Sequence, residues 1–161
     1  MARHMVGIAQ LKTAGPGDSL ATLGLGSCVV IAIYDSVAKQ GSLAHIMLPH
    51  EAFGRRREGE NMLKYADVAI PEAVRLLEEQ GCSRPALSAK IAGGSRMFEL
   101  SKDSQGDIGQ RNVKAVREIL ANLDIPLIAS DTGGNRGRSV EFRPESGELR
   151  VRSVYGPEKI I

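Results

Sequence analysis

The chain contains no tryptophan and only three phenylalanines and three tyrosines, so aromatic residues make up 4% of it. Its core must therefore be assembled from Val, Ile, Leu and Ala. Cysteine is equally scarce, with Cys28 and Cys82 alone. A secreted domain of this size ordinarily carries more, and residues 1–8 hold no long apolar stretch to act as a signal core; both features favour a reduced, cytoplasmic protein. No spacing evidence supports a disulfide between the two. No apolar run approaches the roughly 20 residues of a membrane-spanning helix, so insertion into a bilayer is not expected. Charge of one sign is missing too: 21 basic against 19 acidic residues leave a net +2. That supplies little drive toward nucleic acid or anionic lipid. The local exception, Arg55-Arg56-Arg57, is diluted by Glu58, Glu60 and flanking glycines and reads as a solvated loop.

What remains is a chain of 161 residues, 42% apolar and 25% charged, which fits one globular domain over residues 1–161 and excludes wholesale disorder or a coiled coil. Strands are expected at residues 6–13, 28–34, 42–48, 86–92, 125–130, 139–143 and 148–154. The second and third read as a hairpin, as do the last two around Pro144-Glu-Ser-Gly147. Val68, Ala69, Ala73, Leu76 and Leu77 repeat at helical spacing up to Gly81, a C-terminal cap. Either that helix begins at Pro71, or a longer one from Met62 is kinked there. A second helix spans residues 109–123, with Val113, Val116, Leu120 and Leu123 as its stripe. Two helices cannot cover both faces of a sheet of six or seven strands, so a doubly wound fold is excluded. The expected architecture is an α/β layered sandwich of mixed strands with two main helices.

Glycine is abundant, 18 residues against the roughly 7% of average usage, and it clusters where strands end: Gly24 and Gly26, Gly93-Gly94, Gly133-Gly134. Each cluster alone reads as a tight turn; three of them make a shared edge pocket plausible. The first is no dinucleotide fingerprint, because its third glycine is missing and a β-branched run follows it. No Gly-Lys-Ser/Thr follows any cluster, which excludes a phosphate-binding loop. His4, His45 and His50 lack metal-ligand spacing with each other or with the cysteines, so no metal is expected.

Cys28 follows directly on a glycine-rich turn. It reads either as a small buried hydrophobe or as a nucleophile whose turn aims backbone N–H groups at a developing oxyanion. A thiol needs a base, and His45 on the adjoining strand is the nearest, with His50 second. A hairpin centred between Ala38 and Lys39 puts His45 opposite Ala32, and one centred near Ser36-Val37 puts it opposite Cys28, so spacing leaves the pair open. Cys82, just past a helix end, reads as structural.

Thr22-Leu-Gly-Leu-Gly-Ser-Cys28, Ala44-His-Ile-Met-Leu-Pro49, Lys90-Ile-Ala-Gly-Gly94 with Met97-Phe98, Ile108-Gly with Asn112-Val, and Asp131-Thr-Gly-Gly-Asn-Arg136 together resemble the chemoreceptor glutamine deamidase family, CheD, over residues 5–154. The resemblance implies a compact sandwich like the catalytic core of deamidating toxins of the cytotoxic necrotizing type. It implies a triad of Cys28, His45 and Thr22, with backbone N–H groups around Gly26, Ser27 and Cys28 holding the oxyanion and Thr22 orienting the imidazole. It implies conversion of receptor glutamine to glutamate without a cofactor, hydrolysis of glutamyl methyl esters in some members, and binding to the phosphatase CheC. On this view Gly24 and Gly26 shape the turn that presents Cys28, and the other two clusters keep the rim low for a receptor helix. The competing readings are a regulatory module that docks CheC without catalysis and, more distantly, a papain-like protease. The protease lacks support because a strand, not a helix, is expected after Cys28.

Overall fold

The computed structural model describes residues 1–51, 59–97 and 107–161, and within them it is a mixed α/β protein of ten strands and two helices. The Arg55–Arg57 stretch and Phe98 lie outside the described residues.

The run of Val, Ile, Ala and Tyr in β4 (Val29–Asp35) is buried at every position because another layer lies on each side. β5 (Gln40–Ile46) and β6 (Leu87–Gly93) flank it antiparallel. β2 (Leu11–Ala14) extends the sheet beyond β5, and β7 (Leu127–Thr132) runs parallel to β6. A second sheet has the order β1 (Arg3–Met5), β3 (Ser19–Leu25), β8 (Arg138–Arg143), β9 (Glu148–Ser153), β10 (Glu158–Ile160), parallel only between β1 and β3.

Strand alternation sorts the side chains of β4 into two cores. Val29, Ile31 and Ile33 meet Ala69, Ile70 and Leu77 of α1 (Ala66–Glu79) and Val116 and Leu120 of α2 (Ile108–Asn122). Val30, Ala32 and Tyr34 turn the other way, against Leu20, Leu25, Phe142 and Leu149 of the second sheet. The layers therefore run helices, sheet, sheet, which is the expected layered sandwich. Cys28 packs on the inter-sheet core and Cys82 in the helix-side core, on opposite faces of one sheet, and both are free thiols.

Three sequence expectations need correction. Residues 6–13 are not one strand: β1 and β2 belong to different sheets, and residues 6–10 cross between them. The crossing needs a turn, made by Gln10 N–H donating to Gly7 O and by Ala9 at a φ of 62°. β3 went unread because Gly24 interrupts its alternation; it sits at φ 69° in an irregularity of the β3–β8 pairing. Finally, α1 starts at Ala66, neither at Pro71 nor at Met62. A separate 3-10 turn, Met62–Lys64, is capped by Asn61 and occupies the earlier stretch, while Pro71 lies inside the helix. Past its end, Gly81 adopts φ 95° and Cys82 N–H donates to Leu77 O, closing the C-terminus as expected.

The glycine clusters do meet, and Gly93-Gly94 lies in the interior, not on a low rim. Gly94 N–H donates to Cys28 O at 2.9 Å, Ser95 N–H to Gly26 O at 3.0 Å, and Gly133 N–H to Gly93 O at 3.0 Å. Gly93 and Gly94 are buried behind the turn that carries Cys28. At Gly93, with φ 115°, an added Cβ would stand 2.3 Å from Cys28 O, so only glycine lets β6 come this close. Gly133, at φ 83°, has nothing within 4 Å of such an atom. Thermal or urea unfolding should therefore separate the two: Gly133→Ala should lose about 1 kcal/mol from backbone strain alone, and Gly93→Ala more than about 2 kcal/mol. Equal losses would contradict this packing.

Candidate active site

Asp35 pairs with Gln40, so the β4–β5 turn centres between Val37 and Ala38. The Asp35 carboxylate accepts from the N–H groups of Val37 and Ala38 at 2.9 and 3.0 Å, which sets that loop length. His45 consequently opposes Val30, midway between the two registers the spacing allowed. Cross-strand partners share a face, and Cys28 precedes Val30 by two residues. Cys28 and His45 thus emerge on the same face of the sheet. They line one cleft of about 320 Å³ together with Val6, Gly7, Leu23, Gly24 and Gly26. Larger hollows lie along α1 and α2, but their walls hold no cysteine, serine, threonine or histidine.

His45 is 4% exposed and is held from several directions. Its N–H donates to Gln10 O at 3.1 Å, and its carbonyl accepts from Ala9 N–H at 2.9 Å. On the ring, Nδ1 lies 3.4 Å from Val6 O. A carbonyl offers no proton, so Nδ1 carries the hydrogen and Nε2 is left with its lone pair as the basic nitrogen. Thr22, also buried, donates Oγ1–H to the same Val6 oxygen at 2.7 Å. The structure therefore joins Thr22 to His45 through a backbone carbonyl that takes one donor on each lone pair, not through direct contact. Val6 has no side-chain signature that could have announced this role. His4 instead pairs with Asp18 at 3.3 Å, away from the cleft.

The turn of Gly26, Ser27 and Cys28 is fastened from behind at every carbonyl. Gly26 O accepts from Ser95 N–H and Cys28 O from Gly94 N–H. Ser27 O accepts from Asn112 Nδ2 at 3.0 Å. In a planar trans peptide the N–H points opposite to the C=O. Drawing the carbonyls of Gly26 and Ser27 inward thus turns the N–H groups of Ser27 and Cys28 outward. Among the described residues neither N–H has an acceptor. Ser95 is fixed in turn: its hydroxyl donates to Arg136 O and accepts from buried Arg138, each at 2.7 Å, and Arg138 also reaches Asp131 at 3.2 Å. The Asp131–Arg136 motif thereby supports the back of the turn. Among the described residues, no group of three His, Cys, Asp or Glu side chains gathers to hold a metal ion.

Burial decides the protonation states. It pushes the Cys28 thiol above its usual range. It lowers the His45 imidazole below the ordinary histidine value, and the Val6 hydrogen bond offsets this in part. At neutral pH the cleft holds a neutral thiol beside a neutral imidazole. The two side chains face one cleft, the thiol as a proton donor and Nε2 as an acceptor.

A family model described as CheD chemotactic sensory transduction matches residues 47–153. That span begins after Thr22, Cys28 and His45, so the match does not depend on them. The chain is 46% identical over 157 residues to the probable chemoreceptor glutamine deamidase CheD of Lachnoclostridium phytofermentans, covering 97% of this chain and 96% of the relative. It is equally similar, at 46% identity with the same coverage, to the chemoreceptor glutamine deamidase CheD of Halalkalibacterium halodurans. With that of Bacillus subtilis it shares 45% identity over 97% of this chain and 94% of the relative.

Alkylation by iodoacetamide, followed by peptide mass spectrometry across pH, tests the resting state. The rate at Cys28 should be low at pH 7 and keep rising beyond the pH at which an ordinary thiol levels off. A plateau already reached at pH 7 would show a resting thiolate–imidazolium pair instead.

Proposed function

Because the chain belongs to the CheD family, we propose that it deamidates glutamine side chains of chemoreceptors to glutamate, with Cys28 as nucleophile, His45 as general acid and base, and Thr22 as a positioning residue. The observation that carries this reading is that Cys28 and His45 line one cleft, beside a turn whose Ser27 and Cys28 N–H groups have no acceptor among the described residues.

In the first half-reaction His45 Nε2 takes the thiol proton as Cys28 Sγ attacks the amide carbon of the substrate side chain. The negative charge that forms on the amide oxygen is met by the outward N–H groups of Ser27 and Cys28. His45 Nε2–H then gives its proton to the departing nitrogen. Ammonia leaves, and a thioester joins the substrate to Cys28. In the second half-reaction His45 takes a proton from water, the resulting hydroxide attacks the thioester carbon, and the tetrahedral adduct expels Cys28 sulfur, which His45 reprotonates. The product is a glutamyl carboxyl group, which ionises. Throughout, the Val6 carbonyl holds Nδ1–H and keeps the tautomer required for both proton transfers. A neutral carbonyl stabilises imidazolium less than a carboxylate does, which suits a slow modifying enzyme.

A glutamyl methyl ester entering the same cleft would form the same thioester and release methanol. Action on the cytoplasmic part of a chemoreceptor is the ground on which we assign the protein to the cytoplasm. CheC remains the partner we assign from the family resemblance.

The test is incubation with a purified chemoreceptor cytoplasmic fragment, with glutamine-to-glutamate conversion read by peptide mass spectrometry. Cys28→Ala should abolish conversion, and His45→Ala should reduce it by about 10²- to 10⁴-fold. Thr22→Val, which leaves Val6 O with one donor, should cost about tenfold in kcat. Full conversion by Cys28→Ala would overturn the nucleophile, and cleavage of the fragment's backbone would indicate a protease.

A further inference from the structure

Asn112 is fully buried on α2, where it interrupts an otherwise apolar stripe at four-residue spacing from Val116 and Leu120. Its Nδ2 donates two hydrogen bonds, one to Ser27 O and one to Met47 O, each at 3.0 Å. Ser27 precedes the nucleophile by one residue, and Met47 follows the base by two. One amide group therefore ties the turn that carries Cys28 to the strand end that carries His45. The identity of its two atoms is unambiguous, because both facing groups are carbonyls and only –NH₂ can satisfy them. On the other side, Asn112 Oδ1 is buried and has no hydrogen-bond partner among the described residues.

We propose that Asn112 is a positioning residue for the oxyanion site, fixing the direction of the Cys28 N–H through the peptide plane it shares with the Ser27 carbonyl. The proposal rests on the reading of Cys28 as a nucleophile. Ser27 C=O and Cys28 N–H belong to one rigid unit, so the donor that holds the carbonyl inward also aims the amide outward. If the plane swings, the thiol can stay where it is while the oxyanion loses a donor. Asn112 thereby acts on the tetrahedral state and leaves both substrate binding and intrinsic thiol reactivity alone. The bond to Met47 O serves the same end by preventing the β5 terminus from drifting relative to the turn.

The experiment compares Asn112→Asp and Asn112→Ala with the wild-type chain on the chemoreceptor cytoplasmic fragment. Three readouts are taken: kcat and KM for deamidation, the rate of Cys28 alkylation by iodoacetamide at pH 9, and the thermal unfolding midpoint. Alkylation proceeds without an oxyanion, so it reports on the thiol and its base alone. The expected result is a fall in kcat of about 10- to 100-fold with KM within a factor of about two and alkylation within a factor of about two. Asn112→Asp keeps the volume and, protonated in the interior, retains one donor, so it should lose less than Asn112→Ala. Alkylation and kcat falling together would overturn the proposal, because Asn112 would then be holding the whole site in shape. So would unchanged kcat in both variants, or failure of both to fold, which would make Asn112 a core residue only. Failure of the parent reading looks different: Cys28→Ala would still convert glutamine, whatever the Asn112 variants did.

Discussion

The carbonyls of Gly26, Ser27 and Cys28 all point inward, two onto the adjacent N–H groups of Ser95 and Gly94 just past β6 and one onto Asn112 of α2. Every feature of the site depends on that arrangement. It turns the N–H groups of Ser27 and Cys28 outward, beside the face that the β4–β5 register gives to both Cys28 and His45. The close approach it needs is possible only because position 93 lacks a Cβ. Strands, helices and glycines that look unrelated along the chain thus have a common purpose, the orientation of three peptide planes.

The layered fold explains how one small chain assembles this. β4 is buried on both faces, so it can present Cys28 at its start without being free to shift. The crossing segment, residues 6–10, joins the two sheets at the same end and contributes Val6 O, which Thr22 and His45 share. Because both bonds go to a backbone atom, the tautomer of His45 is set by chain path and not by a charged partner. At rest the thiol and the imidazole are both neutral, because partial burial raises the pKa of the first and lowers that of the second.

Much of this was legible in the sequence, and the exceptions have physical causes. The apolar β-branched run after Cys28 announced a central strand, and Val113, Val116 and Leu120 announced α2. The Cys28–His45 relation was not decidable from spacing, because Asp35 takes two backbone donors in the turn and sets a register midway between those considered. Thr22 was singled out, yet its link to His45 passes through Val6, an apolar residue whose contribution is its carbonyl. Backbone roles leave no trace in side-chain identity. Asn112 did leave one: a polar residue on a stripe that otherwise points into the core. Gly93-Gly94 is expected at a rim, whereas burial shows the pair to be the floor behind Cys28.

The central claim is a thioester at Cys28 whose formation the outward amides assist, and an acyl trap tests it most directly. Deamidation of a chemoreceptor cytoplasmic fragment is run with excess hydroxylamine, and the modified positions are read by peptide mass spectrometry. Hydroxylamine intercepts a thioester to give a glutamyl hydroxamate. The account predicts hydroxamate in competition with glutamate at the same positions, and neither product with Cys28→Ala. Glutamate alone at every hydroxylamine concentration, or hydroxamate that persists in Cys28→Ala, would contradict it.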